Sequence, residues 1–170
     1  ATLLQKIVGF FLPIVLLVVY TAIVFRPFFL GGQLPIPADT IVGLYHPWRD
    51  LYPRDVPFKN SLITDPVRQQ YPWRELAIYQ LKKGEWPKWN PYAFVGTPLL
   101  ANIQTATFYP LNFIYWLLPF SVGWSFQIIL QTILGGLFMW LYLRHLKLHP
   151  AAQTLGVLAW VGSGFFVAWL

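Results

Sequence analysis

Two aspartates lie in the polar middle of this 170-residue chain, where carboxylates could serve as acid–base groups. Asp65 stands near the start of the stretch TDPVRQQYPWRELAIYQLKKGEWPKWNPYAFVGTPLL, and Asp39 lies upstream. A positioned carboxylate can take a proton from a hydroxyl or an amine, or orient that group for attack. We therefore predict Asp65 as the principal catalytic residue and Asp39 as a second catalytic carboxylate.

The same region holds groups suited to a phosphate and to a sugar. Arginine binds phosphate oxygens in a bidentate manner, cations stabilise a departing phosphate, and aromatic walls hold a sugar and exclude water. Transfer of a sugar from a lipid phosphate to a hydroxyl or amine needs these parts. The phosphate candidates are Arg68, Arg74, Arg49, Lys82 and Lys88, the aromatic candidates are Trp73, Trp86, Trp89 and Tyr92, and the other substrate candidates are Gln69, Tyr71, Asn90, Asn102 and Gln104.

Each of these residues also has a purely structural interpretation. Asp65 before Pro66 is typical of a helix N-cap, with Gly84 at the far end of the same helix. The arginines suit lipid headgroups, the tryptophans suit an aromatic belt at a membrane interface, and the asparagines suit turns. No metal-ligand spacing is present, since His46 stands alone, and only two carboxylates holding Mg²⁺ would suit a divalent cation. The chain contains no cysteine, which excludes disulfides and thiolate sites.

The composition indicates a membrane protein that positions these residues beside a bilayer. Hydrophobic residues make up 56% of the chain and charged residues only 11%, against about 25% charged in soluble domains. We predict an all-α integral membrane protein with uncharged spans at Ile7–Phe25 and Val122–Leu143, each long enough to cross. The predicted segments are a first transmembrane helix at 1–30, a polar loop at 31–110 with an amphipathic surface helix at about 66–83, a short interfacial helix plus second transmembrane helix at 111–150, and the start of a third at 151–170.

Basic residues predict the orientation. The turn between Leu143 and Ala151 contains Arg144 and Lys147 but no acid, which is typical of a cytoplasmic turn. The N-terminus is then also cytoplasmic, and residues 31–110 are external. A cleaved signal peptide is the rival for the first span, but bulky residues follow the apolar run where a small-residue cleavage site would stand. We interpret the chain as an N-terminal piece of a larger protein.

Two segments of the polar loop resemble each other. Tyr45–Leu51, with the sequence YHPWRDL, is echoed by Gln70–Leu76, with the sequence QYPWREL, and an aspartate precedes each. One interpretation is a Pro-Trp-Arg anchor used twice at the headgroup level of a membrane. The other is that Asp39 and Asp65 face one cleft as a carboxylate pair.

Four blocks within residues 60–115 carry a resemblance to a known family. The region is similar to the first external loop of polytopic GT-C-type glycosyltransferases, and most resembles bacterial YfhO-type membrane proteins. The blocks are DPVRQQYPW from Asp65, GEWPKWNPY from Gly84, GTPLLAN from Gly96 and FYPLN from Phe108.

This resemblance implies a multi-span enzyme of the bacterial plasma membrane. Such an enzyme takes a sugar from a polyprenyl-phosphate donor on the outer face and passes it to a glycan, lipid or protein acceptor. An aspartate at the start of a surface helix acts as base, and Asp65 matches that position. The alternatives are a non-enzymatic scaffold or transporter component of envelope assembly, and lipid-phosphate binding without transfer. We expect membrane lipid as a partner and no nucleic acid.

Overall fold

The computed structural model describes residues 3–51 and 63–168 and is mostly helical. The parts of the predicted segments that fall on residues 1–2, 52–62 and 169–170 lie outside the described residues. Two compact units are present: a helical unit, Ala1–Pro35 with Trp124–Leu170, and an inserted unit, Ile36–Gly123. The helices are α1 (Leu3–Val24), α2 (Arg26–Gly31), α3 (Asp39–Leu44), α4 (Trp48–Leu51), α5 (Tyr71–Lys82), α6 (Ile114–Leu117), α7 (Phe120–His145), α8 (Pro150–Val161) and α9 (Gly164–Ala168), and the strands are β1 (Trp89–Asn90) and β2 (Thr97–Pro98).

Two of the described helices are long and apolar enough to cross a membrane. They are residues Ile7–Val24 within α1, and α7. The first coincides with the predicted span except for its last residue, and the second extends beyond the predicted span at both ends. Local hydrophobic runs therefore located both helices.

Contacts along the helical unit show that α1 and α7 run antiparallel. Phe10 in α1 packs edge-on against Trp140 near the end of α7, with ring centroids 5.2 Å apart. Phe28, just beyond α1, packs edge-on against Phe126 near the start of α7, at 5.5 Å. Between these contacts Leu17 lies against Gly136, where an added Cβ would stand 2.5 Å from Leu17 Cδ1. The missing side chain of glycine thus allows the close approach of the two helices.

Helix α8 runs parallel to α1 on the same core. Gly9 near the start of α1 lies against Pro150 at the start of α8, and the Tyr20 hydroxyl donates to the carbonyl oxygen of Val161 at 3.1 Å. The buried core of the unit consists of Leu17, Trp140, Val157 and Val161.

The predicted third span is interrupted within the described residues. Helix α8 ends at Val161, Gly162 leaves helical geometry with φ −93° and ψ 5°, and α9 starts at Gly164. The Ser163 hydroxyl then accepts the backbone N–H of Phe166 at 3.3 Å. The expectation of one continuous helix was wrong, because Gly162 and Ser163 end one helix and begin another. At 12 residues, α8 is about 18 Å long.

In the inserted unit, α5 ends where the sequence predicts. Gly84 has φ +78°, and its N–H donates to Leu81 while that of Glu85 donates to Gln80. This pair of hydrogen bonds is the Schellman motif, which favours glycine because of the positive φ.

The apolar side of α5 packs against protein. Ala77 and Ile78 are buried, Arg74 is half-buried and Glu75 is exposed. The prediction that this apolar side lies on the membrane was therefore wrong, since other residues of the chain cover it.

A short antiparallel hairpin follows α5, where the sequence predicted a packed loop. Trp89 pairs with Pro98 and Asn90 with Thr97. Gly96 has φ +110°, and its missing side chain makes room for the Trp89 indole.

The predicted interfacial segment at 111–119 forms a 3₁₀ turn, Pro110–Phe113, followed by α6. Asn112 and Tyr115 are buried, whereas Trp116 and Leu117 are exposed. One side of this segment therefore belongs to the core of the inserted unit.

Candidate functional site

Asp65 stands at the start of the helix that holds most of the predicted site. It is half-buried, with helical φ −59° and ψ −38°, and its side chain makes no cap hydrogen bond. An N-cap residue needs extended backbone angles for its side chain to reach the free N–H groups. The interpretation of Asp65 as a side-chain cap was therefore wrong. Among the described residues its carboxylate has no hydrogen-bond or ion-pair partner.

The residues directly after Asp65 form a π-helical segment, Pro66–Gln70. Its defining bond joins the Tyr71 N–H to the Pro66 carbonyl oxygen, five residues back. Such segments are rare and often occur at functional sites. The segment contains two predicted substrate residues, exposed Arg68 and half-buried Gln69.

Arg68 links this segment to the end of α3. Its guanidinium carbon lies 5.6 Å from the centroid of the Tyr45 ring. Asp39 begins α3, and its Oδ1 accepts the Thr40 N–H at 3.1 Å. Both predicted carboxylates thus stand at helix starts in the inserted unit. Their convergence in one cleft stays a prediction.

The two Pro-Trp-Arg segments have different surroundings. Trp48 begins the four-residue helix α4 and is half exposed, whereas Trp73 lies in the first turn of α5 and is half-buried. Near the first segment, His46 Nδ1 lies 2.8 Å from the Asp50 carboxylate, and both side chains are exposed. The sequence echo therefore does not produce a matching pair of local structures.

Tyr71 is part of an aromatic cluster. Its ring packs edge-on against Phe120 at 4.9 Å, and Phe120 stacks on Tyr115 with centroids 4.6 Å apart. Burial raises the pKa of the Tyr71 hydroxyl, and the neighbouring Glu75 carboxylate raises it further. Burial also raises the pKa of the Tyr115 hydroxyl, while Arg74 acts in the opposite direction. Both hydroxyls are held in their protonated, donor-capable form.

Arg74 bonds to the loop that leads into α6. Its Nε donates to the carbonyl oxygen of Thr105 at 3.3 Å, and its side chain also hydrogen-bonds to Tyr115. The Thr105 and Thr107 hydroxyls are 2.8 Å apart. Asn112 Nδ2 donates to the carbonyl oxygens of Ala106 and Thr107 at 2.6 and 3.1 Å. Arg74, predicted as a phosphate ligand, thus has a place in a buried polar network.

The hairpin and the turn after it position three further candidates. Asn90 is buried, and its Oδ1 accepts the Tyr92 N–H at 2.9 Å. Asn102 Oδ1 accepts the Gln104 N–H at 3.1 Å and so caps a 3₁₀ turn. Trp89 is half exposed, and its carbonyl oxygen accepts from Gln80 Nε2 at 3.3 Å. These bonds tie the hairpin to α5.

The remaining cationic and aromatic candidates lie on the surface of the inserted unit. Trp86 is 63% exposed and contacts Phe108 edge-on at 6.1 Å, and Tyr92 is 83% exposed. The exposed cations are Arg49, Lys82 and Lys88.

The structure gives no metal cluster within residues 3–51 and 63–168: no three or more His, Asp or Glu side chains gather there. A Mg²⁺ held by two carboxylates stays a prediction.

Sequence reasoning missed the buried residues that support Arg74. Tyr115 lies in an apolar run where nothing distinguishes it from its neighbours. Asn112 entered the argument only as part of the FYPLN block, although a buried amide that organises a turn is a strong determinant of a loop's shape.

Comparison of the chain with protein-family models, with curated proteins and with solved structures returns no match. The resemblance to YfhO-type proteins therefore stays a prediction.

Proposed function

We propose that this chain is part of a polytopic, GT-C-like glycosyltransferase of a bacterial plasma membrane. It moves a sugar from a polyprenyl-phosphate donor to a glycan, lipid or protein acceptor at the outer face. The observation that carries the proposal is Asp65: a half-buried carboxylate without a partner among the described residues, directly before a π-helical segment.

The helical unit supports membrane placement. The outward side of α1 is apolar along its length, with Ile7, Phe11, Val15 and Ile23 all more than two-fifths exposed. A helix that is apolar on all sides suits a bilayer. Antiparallel α1 and α7 place the intervening inserted unit on one side of that bilayer, which we assign to the outer face.

The proposed reaction uses Asp65 as the base. The acceptor hydroxyl attacks the anomeric carbon of the sugar and gives its proton to the Asp65 carboxylate. The bond between the anomeric carbon and the phosphate oxygen breaks, and polyprenyl phosphate leaves with the electron pair. Arg68, exposed in the adjoining π-helical segment, is the nearest candidate to stabilise the negative charge on that phosphate.

The aromatic residues of the hairpin support the sugar-binding part of the proposal. Trp89 is half exposed although Gly96 backs its indole ring. A tryptophan fixed on one side and open on the other is a suitable platform for a sugar ring.

The test compares carboxylate variants of the full-length protein in its native membrane. Asp65→Asn should abolish the glycosylated envelope product at an unchanged protein level. Its melting temperature should be unchanged, because no cap hydrogen bond is lost. Glu85→Gln, an exposed carboxylate after α5, is the matched control and should give normal product. Loss with Asp39→Asn as well would support the two-carboxylate site.

A non-enzymatic scaffold or transporter component is the alternative. It is favoured by the hairpin tip, where Phe94 and Val95 are fully exposed and suit contact with another protein. In that case Asp65→Asn yields the normal product, and Phe94→Ser lowers envelope assembly.

A further inference from the structure

The helical unit carries an unbalanced positive charge. Residues 1–35 and 124–170 contain four lysines and arginines and no aspartate or glutamate; the basic residues are Lys6, Arg26, Arg144 and Lys147. Their counter-charge must come from outside the unit. Arg144 and Lys147 lie at one end, where α7 finishes and the turn to α8 begins.

Arg144 is held in place by aromatic rings. Its guanidinium carbon lies 4.4 Å from the centroid of Phe10 and 5.4 Å from that of Trp140. These contacts use the faces of the planar group and leave the N–H donors at its edges available. Within the part of the chain that the structure describes, the guanidinium has no hydrogen-bond acceptor or carboxylate partner.

A cavity of about 240 Å³ lies beside this arginine. The starts of α1 and α8 and the end of α7 form its walls, and its lining residues are Gly9, Phe10, Arg144, Pro150 and Gln153. Gly9 is tightly packed, since an added Cβ would lie 3.0 Å from Pro150 Cγ. The site thus joins three helices of one unit.

The neighbouring polar groups do not neutralise this site. Gln153 Nε2 donates to the Leu148 carbonyl oxygen at 2.7 Å, and His149 Nδ1 accepts the Ala151 N–H at 3.3 Å. These bonds shape the turn between α7 and α8. Lys147, in the same turn, is exposed and adds a second positive charge.

We propose that this cavity binds the phosphate of an anionic phospholipid, with Arg144 as the principal ligand and Lys147 as a second cation. Cationic pockets between membrane helices suit such headgroups. The exposed apolar residues Val8 and Leu141, on the helices that form the cavity, offer a surface for the acyl chains. The proposal rests on the membrane placement in the proposed function and is independent of the transferase reaction.

The test uses native mass spectrometry of the full-length protein, purified in detergent and mixed with equal amounts of phosphatidylglycerol and phosphatidylcholine of identical acyl chains. The wild type should retain phosphatidylglycerol about fivefold over phosphatidylcholine. Arg144→Gln should remove this preference. Arg26→Gln, an exposed arginine just past the other end of α1, is the matched control and should keep it.

Further arms separate the alternatives. Arg144→Lys keeps the charge but not the planar fork, so an intermediate preference supports the proposal even if Arg144→Gln unfolds. Equal retention of both lipids by the wild type, or equal losses in Arg144→Gln and Arg26→Gln, would overturn it. Displacement of the lipid by millimolar inorganic phosphate would assign the cavity to a free anion instead. Asp65→Asn should retain the preference, which separates this site from the transferase.

Discussion

Arg74 and Thr105 join two parts of the inserted unit that lie 31 residues apart, through a hydrogen bond of 3.3 Å from Nε to the carbonyl oxygen. Thr105 is buried, as is Tyr115, the other partner of Arg74. The guanidinium therefore fastens α5 to the loop before α6. Its position is determined by the fold and not by a substrate.

Replacing Arg74 should destabilise the inserted unit. We expect Arg74→Ala to lower the free energy of unfolding by about 1–3 kcal/mol, because it leaves the Thr105 carbonyl and the Tyr115 hydroxyl without their donor. Arg68→Ala, which removes an exposed ring contact, should cost less than about 1 kcal/mol. Chemical unfolding of both variants in detergent measures the difference. Equal costs for the two variants would show that the Arg74 bonds do not stabilise the fold.

Tyr115 predicts a loss of stability in alkali. Burial raises the pKa of its hydroxyl in the folded state, so the unfolded state loses the proton at a lower pH than the folded state does. The free energy of unfolding is therefore at its full value below about pH 10, the ordinary pKa of tyrosine, and falls as the pH rises through the raised pKa. Unfolding measured between about pH 8 and pH 11 should show this fall, and Tyr115→Phe should reduce it. Tyr142→Phe, which changes an exposed tyrosine of α7, should behave as the wild type does.

Gly136 predicts a packing defect between α1 and α7. Gly136→Ala would place a Cβ 2.5 Å from Cδ1 of the buried Leu17. Overpacking of this kind costs about 1–3 kcal/mol, and the shift should appear as a lower melting temperature. Gly164→Ala is the matched control, since nothing lies within 4 Å of its added Cβ. A melting temperature of Gly136→Ala equal to that of the control would argue against close packing of the two helices.

Gly96 predicts a local effect on the hairpin. Gly96→Ala meets both a positive φ and the Trp89 indole, whereas Gly84→Ala meets a positive φ in open space. The backbone term is about 1–2 kcal/mol in both variants, so any excess for Gly96→Ala reports the ring contact. Hydrogen exchange at the Leu99 N–H, which bonds to the Lys88 carbonyl oxygen at 2.9 Å, should accelerate in Gly96→Ala alone. Unchanged exchange in both variants would contradict the contact between Gly96 and Trp89.

Features of the sequence that act locally predicted the helices well. The uncharged run after Lys6 located α1, and Gly84 located the end of α5 because a positive φ is a property of one residue. The break at Gly162 was also visible in the sequence. We interpreted that glycine as a packing residue, since a glycine by itself does not distinguish close packing from a helix end.

Features that depend on distant partners could not be predicted in this way. Nothing near Arg74 in the sequence indicates that its partner is Thr105. Asn90 and Asn102 belong to types that suit both turns and sugar contacts, and their amide oxygens accept backbone N–H groups. The angles of Asp65 depend on the π-helical segment behind it, whereas the sequence showed only an acid before a proline.

The division of the chain into a continuous and a discontinuous unit determines the order in which they can form during synthesis. Residues 36–123 make a compact unit by themselves, so a ribosome releases all of this unit before it makes most of α7. Leu17 emerges early, but Gly136 and Val157, which complete its surroundings, emerge only after the whole inserted unit. Because domains fold as units while a chain is being made, residues 36–123 can reach their native contacts while α1 still lacks its neighbours.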